Sequence, residues 1–115
     1  RIEDALSATR AAVEEGIALP HGRIPALIRP AVVFGRSEFG IDWNSPDGKP
    51  AHFIFLILTP KEDDDIQVQI LRIIARSMSD NKTQGALMAA ADQQGIWQVL
   101  QEAFTVHQVV RKKQA

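Results

Sequence analysis

The chain has no cysteine among its 115 residues. That excludes a disulfide framework, a thiolate nucleophile and any metal site built on thiolates, and it fits a reducing compartment. An excess of charge of one sign is missing too: 13 basic residues against 14 acidic ones leave a formal charge of −1 at pH 7. So even a balance gives no electrostatic reason to expect nucleic acid or an anionic lipid surface as a partner. Long hydrophobic runs are also absent. A stretch such as Phe53 to Leu58 is far too short to cross a bilayer, so a membrane-embedded chain is not expected. The sequence opens Arg1-Ile2-Glu3-Asp4, without Met and without a signal-peptide pattern. A cytoplasmic protein is the default expectation, as a fragment, a processed product or part of something longer.

What is present is ordinary for a globular protein: 45% hydrophobic and 23% charged residues. The length allows one domain, residues 1–115, and a chain of this size buries well over half of its unfolded surface. Residues 2–15 read as an amphipathic helix carrying Ile2, Leu6 and Val13, with Gly16 at its expected stop. Ile17 to Leu19 is a short apolar run closed by Pro20-His21-Gly22. Pro25 and Pro30 then keep residues 22–30 out of long regular structure. Ala31 to Phe34 reads as a strand and Phe39 to Trp43 as a second short one. Asn44-Ser45-Pro46-Asp47-Gly48 is turn chemistry, leading into the unbroken apolar strand His52 to Leu58, expected at the centre of a sheet with both faces covered.

The period then changes. Ile66, Ile70, Ile73, Ile74 and Met78 recur at helical spacing behind an acidic start, Glu62 to Asp65, which suits the positive end of a helix dipole and supplies cap oxygens. Lys82 to Ala91 reads as a short helix interrupted by Gly85, and Ile96, Val99, Leu100 and Phe104 mark a last helix before a tail over 106–115. Strands followed by helices predict an α/β (α+β) fold, one mixed sheet flanked by helices.

Few residues offer covalent or acid–base chemistry. The three histidines, His21, His52 and His107, show no metal-ligand spacing, and no metal is expected. His52 opens the central strand and reads as a structural residue, and His107 as a solvent-facing one. The acidic run at 62–65 lacks the spacing of a calcium loop. Trp43 and Trp97 read as packing residues. His21 is the most informative, placed in a loop between a rigid residue and a small one. That setting holds an imidazole at the surface with close access for another molecule. One imidazole nitrogen is nucleophilic at neutral pH while the other can be hydrogen-bonded to fix the tautomer.

The run Gly16-Ile17-Ala18-Leu19-Pro20-His21-Gly22 resembles the active-site signature of enzyme IIA domains, mannitol/fructose class, of the bacterial sugar phosphotransferase system. The likeness continues through Gly40-Ile41-Asp42-Trp43, the strand His52 to Leu58 with Thr59-Pro60, and the helix ending Ile74-Ala75-Arg76-Ser77-Met78, covering about residues 16–105. The resemblance implies that His21 accepts a phosphoryl group from the phosphocarrier protein HPr and passes it to an enzyme IIB partner, as a phosphotransferase component. It implies no metal and no organic cofactor, because the task is positioning plus stabilisation of the phosphoryl oxygens.

This chain departs from the family pattern at three places. The position of the family's second histidine is held by Gln67, which can donate a neutral hydrogen bond to a phosphate oxygen but brings no positive charge. The family's upstream arginine has no match in spacing, leaving Arg10 as the nearest residue and Arg23 as another source of positive charge. The family's N-terminal elements are truncated or replaced. Residues 4–16 instead resemble a helical stretch of group I chaperonins, with none of the ATP-binding or apical sequence that would carry a chaperonin function. Losing those elements would expose a sheet edge or apolar surface and favour a homodimer or strand exchange.

The reading that follows is a phosphocarrier in sugar uptake or its regulation. Two others stay open: an enzyme IIA-like regulatory or interaction module that carries no phosphate, possible as an attachment to a transporter, and a rearranged fragment that keeps only the fold.

Overall fold

The computed structural model describes residues 16–107. The helix expected over 2–15, Arg10 within it, and the segment 108–115 lie outside the described residues. The chain divides into two compact units, 1–68 and 69–115.

The first unit holds a mixed sheet. Its strands are β1 (Ile17–Ala18), β2 (His21–Ile24), β3 (Ala31–Ile41) and β4 (Ala51–Pro60). β4 is central, as its apolar run predicts, and its side chains alternate between fully and partly buried. β3 pairs with it antiparallel, and β1 and β2 pair with it parallel. Ile17 faces Phe53 and His21 faces Ile57, the same offset in sequence. β1 and β2 are therefore one strand in geometry, interrupted at Leu19-Pro20. The pairing bridges the break, because the Ile57 amide donates to the Pro20 carbonyl at 2.9 Å. Proline has no N–H to give to a ladder, so the strand breaks there while its carbonyl still accepts.

One face of β4 presents Ala51, Phe53, Phe55, Ile57 and Thr59, all buried. Phe34 stands opposite Phe55 in the register, with ring centroids 4.8 Å apart and the planes tilted. Trp43 and Ile54, both partly buried, pack against Ala18 and Ala51. The turn before β4 is as expected: the Gly48 amide donates to the Ser45 carbonyl at 3.1 Å, with Pro46 and Asp47 between them.

Two expectations for this unit need correction. Ala31–Phe34 and Phe39–Trp43 are not separate strands, because β3 runs unbroken from Ala31 to Ile41. Its pairing with β4 shifts register between Arg36 and Ile41. The strand survives the shift through local bonds: the Gly40 amide donates to Ser37 Oγ at 3.0 Å, and Gly40 takes a φ of 86°. His21 is also not a loop residue, since it opens β2.

Three helices follow: α1 (Asp64–Met78), α2 (Asn81–Ala89) and α3 (Gln93–His107). The mixed sheet and helices make an α/β fold, the class read from the sequence. Asp63 caps α1, its Oδ1 accepting the Ile66 amide at 3.1 Å. Asp80 and Asp92 do the same for α2 and α3, accepting the amides of Lys82 and Gly95 at 2.9 Å each.

In the second unit α2 and α3 pack on one another. Ser77 Oγ donates to the Ile73 carbonyl at 2.8 Å, and Gln84 Nε2 donates to the Met78 carbonyl at 2.6 Å, satisfying an acceptor that the end of α1 leaves free. Gly85 does not interrupt α2, and nothing lies within 4 Å of where its Cβ would stand. His107 belongs to α3 as its last residue. Trp97 is 63% exposed, so it is not the packing residue its type suggested.

Candidate functional site

His21 is built into the sheet by its neighbours. Gly16, Pro20 and Ile24 turn their carbonyls toward β4, accepting from the amides of His52 and Phe53, of Ile57 and of Lys61 respectively. Alternation along a strand sends the Leu19 carbonyl the other way. The His21 ring takes that free acceptor: its Nδ1 lies 2.6 Å from the Leu19 oxygen. A carbonyl only accepts, so Nδ1 carries the proton and Nε2 keeps its lone pair. The half-buried ring is thereby held in the tautomer that leaves Nε2 unprotonated.

Arg23 lies two residues further along β2, hence on the same face of the strand as His21. In the register it stands opposite Thr59, as His21 stands opposite Ile57. Its guanidinium donates to the Lys61 carbonyl at 2.5 Å and to the Asp64 carboxylate. Both partners of this ion pair are well exposed, so it adds at most about 1 kcal/mol to stability.

Gln67 occupies the first turn of α1 and is half-buried. Asp64 and Gln67 are three residues apart, neighbours on the helix surface. The Arg23–Asp64 contact therefore brings the first turn of α1 to the end of β2. Among the described residues no hydrogen bond joins Gln67 to His21. Arg10 lies outside those residues.

Sequence reasoning missed Asp64, which it read only as part of an acidic helix start, and the tethering carbonyls of Leu19 and Lys61. Backbone acceptors have no residue-type signal. The Asp64 contact depends on a strand and a helix that are forty-one residues apart at the contact. His52 is structural, as read: its Nδ1 donates to the Ser37 carbonyl at 2.9 Å. Among the described residues no three histidine, aspartate or glutamate side chains stand close enough to share a metal ion. No helix there is long and apolar enough to cross a membrane.

This geometry coincides with clear similarity to known proteins. The family model described as "Phosphoenolpyruvate-dependent sugar phosphotransferase system, EIIA 2" matches residues 5–103. The match begins inside the stretch that resembles a chaperonin helix. A PTS system fructose-specific EIIA component of Haloferax volcanii is 37% identical over 87 residues, 76% of this chain and 56% of that protein. A nitrogen regulatory protein of Bradyrhizobium diazoefficiens is 37% identical over 89 residues, 77% of this chain and 58% of that protein. The chain thus matches little more than half the length of these two relatives.

Among solved structures, the nitrogen regulatory protein IIA-Ntr of Neisseria meningitidis has a TM-score of 0.74 at 24% identity, covering 84% of this chain and 69% of that one. That likeness concerns the fold. The family match takes in the histidine segment, the central strand and all three helices up to residue 103, and on it the chain belongs to the EIIA 2 family of the phosphoenolpyruvate-dependent sugar phosphotransferase system.

Proposed function

We propose that residues 1–115 act as one phosphocarrier domain in which Nε2 of His21 accepts a phosphoryl group from HPr and gives it to an enzyme IIB protein. The observation that carries this reading is the hydrogen bond from Nδ1 to the Leu19 carbonyl, which leaves Nε2 as the free nucleophile. In the forward step Nε2 forms a bond to phosphorus while the donor's phosphorus–nitrogen bond breaks, its electron pair returning to the donor imidazole. Transfer onward repeats the step with His21 as the leaving group. Positioning dominates such chemistry, and no cofactor takes part. Relatives with fructose-specific and nitrogen-regulatory names support a role in sugar uptake or in its regulatory branch, and a cytoplasmic site of action belongs to the same proposal.

A second reading is a regulatory module that binds partners without carrying phosphate. Gln67 favours it, since a neutral amide brings no charge to a phosphoryl group.

The test is incubation of the purified chain with phosphoenolpyruvate, enzyme I and HPr, beside His21→Ala. Acid-labile, base-stable phosphate on the parent and none on the variant supports the carrier. A folded parent that takes up no phosphate removes it and leaves the regulatory module.

A further inference from the structure

We infer that Arg23 is the cation of the phosphoryl site, and that it engages the phosphoryl group by releasing Asp64; this rests on His21 being the acceptor. His21 and Arg23 alternate along β2 and project from the same face. Two residues of strand separate their Cα atoms by roughly 7 Å, within reach of a long, flexible arginine stem. A phosphorylated histidine presents close to two negative charges and three acceptor oxygens, and a guanidinium pairs with such a group through two parallel N–H bonds. Gln67, at the position of the family's second histidine, supplies no charge. Arg23 shares the face of His21 and does.

In the unphosphorylated protein the guanidinium is held elsewhere, on the Lys61 carbonyl and the Asp64 carboxylate. This tether suits exchange. Arg23 and Asp64 are 42% and 77% exposed, and ion pairs so open to water are weak. Asp64 is also the first residue of α1, where the positive end of the helix dipole steadies a carboxylate that has lost its partner. A phosphoryl dianion outbids a singly charged carboxylate for the guanidinium. Asp64 is thus a positioning residue: it keeps Arg23 folded back toward the helix until charge arrives on His21.

The experiment loads the protein directly with phosphoramidate, which needs no protein partner. His21 Nε2 bonds to phosphorus, the phosphorus–nitrogen bond of the reagent breaks, and ammonia leaves. The half-life of the phosphohistidine is then followed by phosphorus NMR, alongside the Nε–H resonance of Arg23. Arg23→Gln should shorten the half-life about tenfold, the effect of losing one charge-assisted contact. Arg23→Lys should restore part of it. Asp64→Asn should lengthen it about two- to fivefold by removing the competitor. The Arg23 resonance should differ between parent and Asp64→Asn before loading and coincide after it, a signature that a purely structural ion pair would not produce. A loaded parent whose half-life is indifferent to Arg23→Gln and Asp64→Asn overturns the inference and leaves His21 as acceptor. A folded parent that loads no more phosphate than His21→Ala overturns the acceptor reading, and the exchange with it.

Discussion

His52 donates its Nδ1 proton to the carbonyl of Ser37 at 2.9 Å, joining β4 to β3 where their pairing shifts register. Ser37 is engaged twice there, since its hydroxyl also accepts the Gly40 amide at 3.0 Å. The bonds pin an irregular stretch of strand whose ladder is disrupted. His52 lies five residues before Ile57 on β4, about 16 Å along the strand, and Ile57 is the register partner of His21. One histidine thus secures the sheet at one end of β4 while the other offers its nitrogen nearer the far end.

Gly40→Ala should unfold this corner. Its φ is 86°, and an added Cβ would stand 2.7 Å from Pro50 Cβ and 3.1 Å from His52 Cε1. Backbone strain and overpacking together should cost about 2–4 kcal/mol. Gly35→Ala is the matched control, because nothing lies within 4 Å of its Cβ position. Urea unfolding of the two variants measures the difference. Equal midpoints would mean that the corner yields without cost.

Phe55→Ala tests the centre of the sheet. Phe55 is fully buried on β4 with the Phe34 ring 4.8 Å away. Truncating a buried phenylalanine costs about 3–5 kcal/mol through lost transfer energy and the cavity left behind. That is a large share of the about 5–15 kcal/mol holding a domain folded. Calorimetry should show a sharply lowered melting temperature. A shift of only a degree or two would place the core elsewhere.

Much of this was legible in the sequence where residue type and local structure agree. Pro46 and Gly48 mark their turn by conformational preference alone, the run from Phe53 to Leu58 announces a central strand, and the spacing of Ile66, Ile70, Ile73 and Ile74 announces α1. What could not be read depends on distant partners. Ala31–Phe34 and Phe39–Trp43 look like separate strands, yet pairing with β4 continues through Gly35 and Arg36, and the Ser37–Gly40 bond carries β3 over the register shift. Pro20 looks like the start of a loop, yet its carbonyl still bonds to Ile57 and the strand resumes at His21. For the site, Pro-His-Gly exposed the histidine as a candidate. The Leu19 carbonyl that sets its tautomer and the Asp64 that holds Arg23 are products of the fold.

Asp63→Ala should loosen the first turn of α1. Its Oδ1 accepts the Ile66 amide at 3.1 Å, and removing such a cap costs about 1 kcal/mol. Hydrogen exchange at the Ile66 amide reports it directly and should accelerate about fivefold, the factor equivalent to that energy. An unchanged rate would show that water or another group caps the helix equally well. The site feels the change too, because Asp64 and Gln67 ride on this turn.

Thr59→Val should leave the protein as stable or raise its stability by about 1 kcal/mol, although it deletes a hydroxyl. Thr59 is fully buried, and its Oγ1 has no hydrogen-bond partner among the described residues. A buried, unsatisfied hydroxyl carries its desolvation cost with nothing in return, and a methyl of the same shape removes that cost. Valine also suits the extended backbone of β4. The measurement is the urea midpoint of Thr59→Val against the parent. A loss beyond about 1 kcal/mol would reveal that the hydroxyl is satisfied in solution, by a water or by a neighbour that turns toward it. In that case the position opposite Arg23 would be polar by use, and Thr59 would join the groups to be tested for contact with the phosphoryl oxygens.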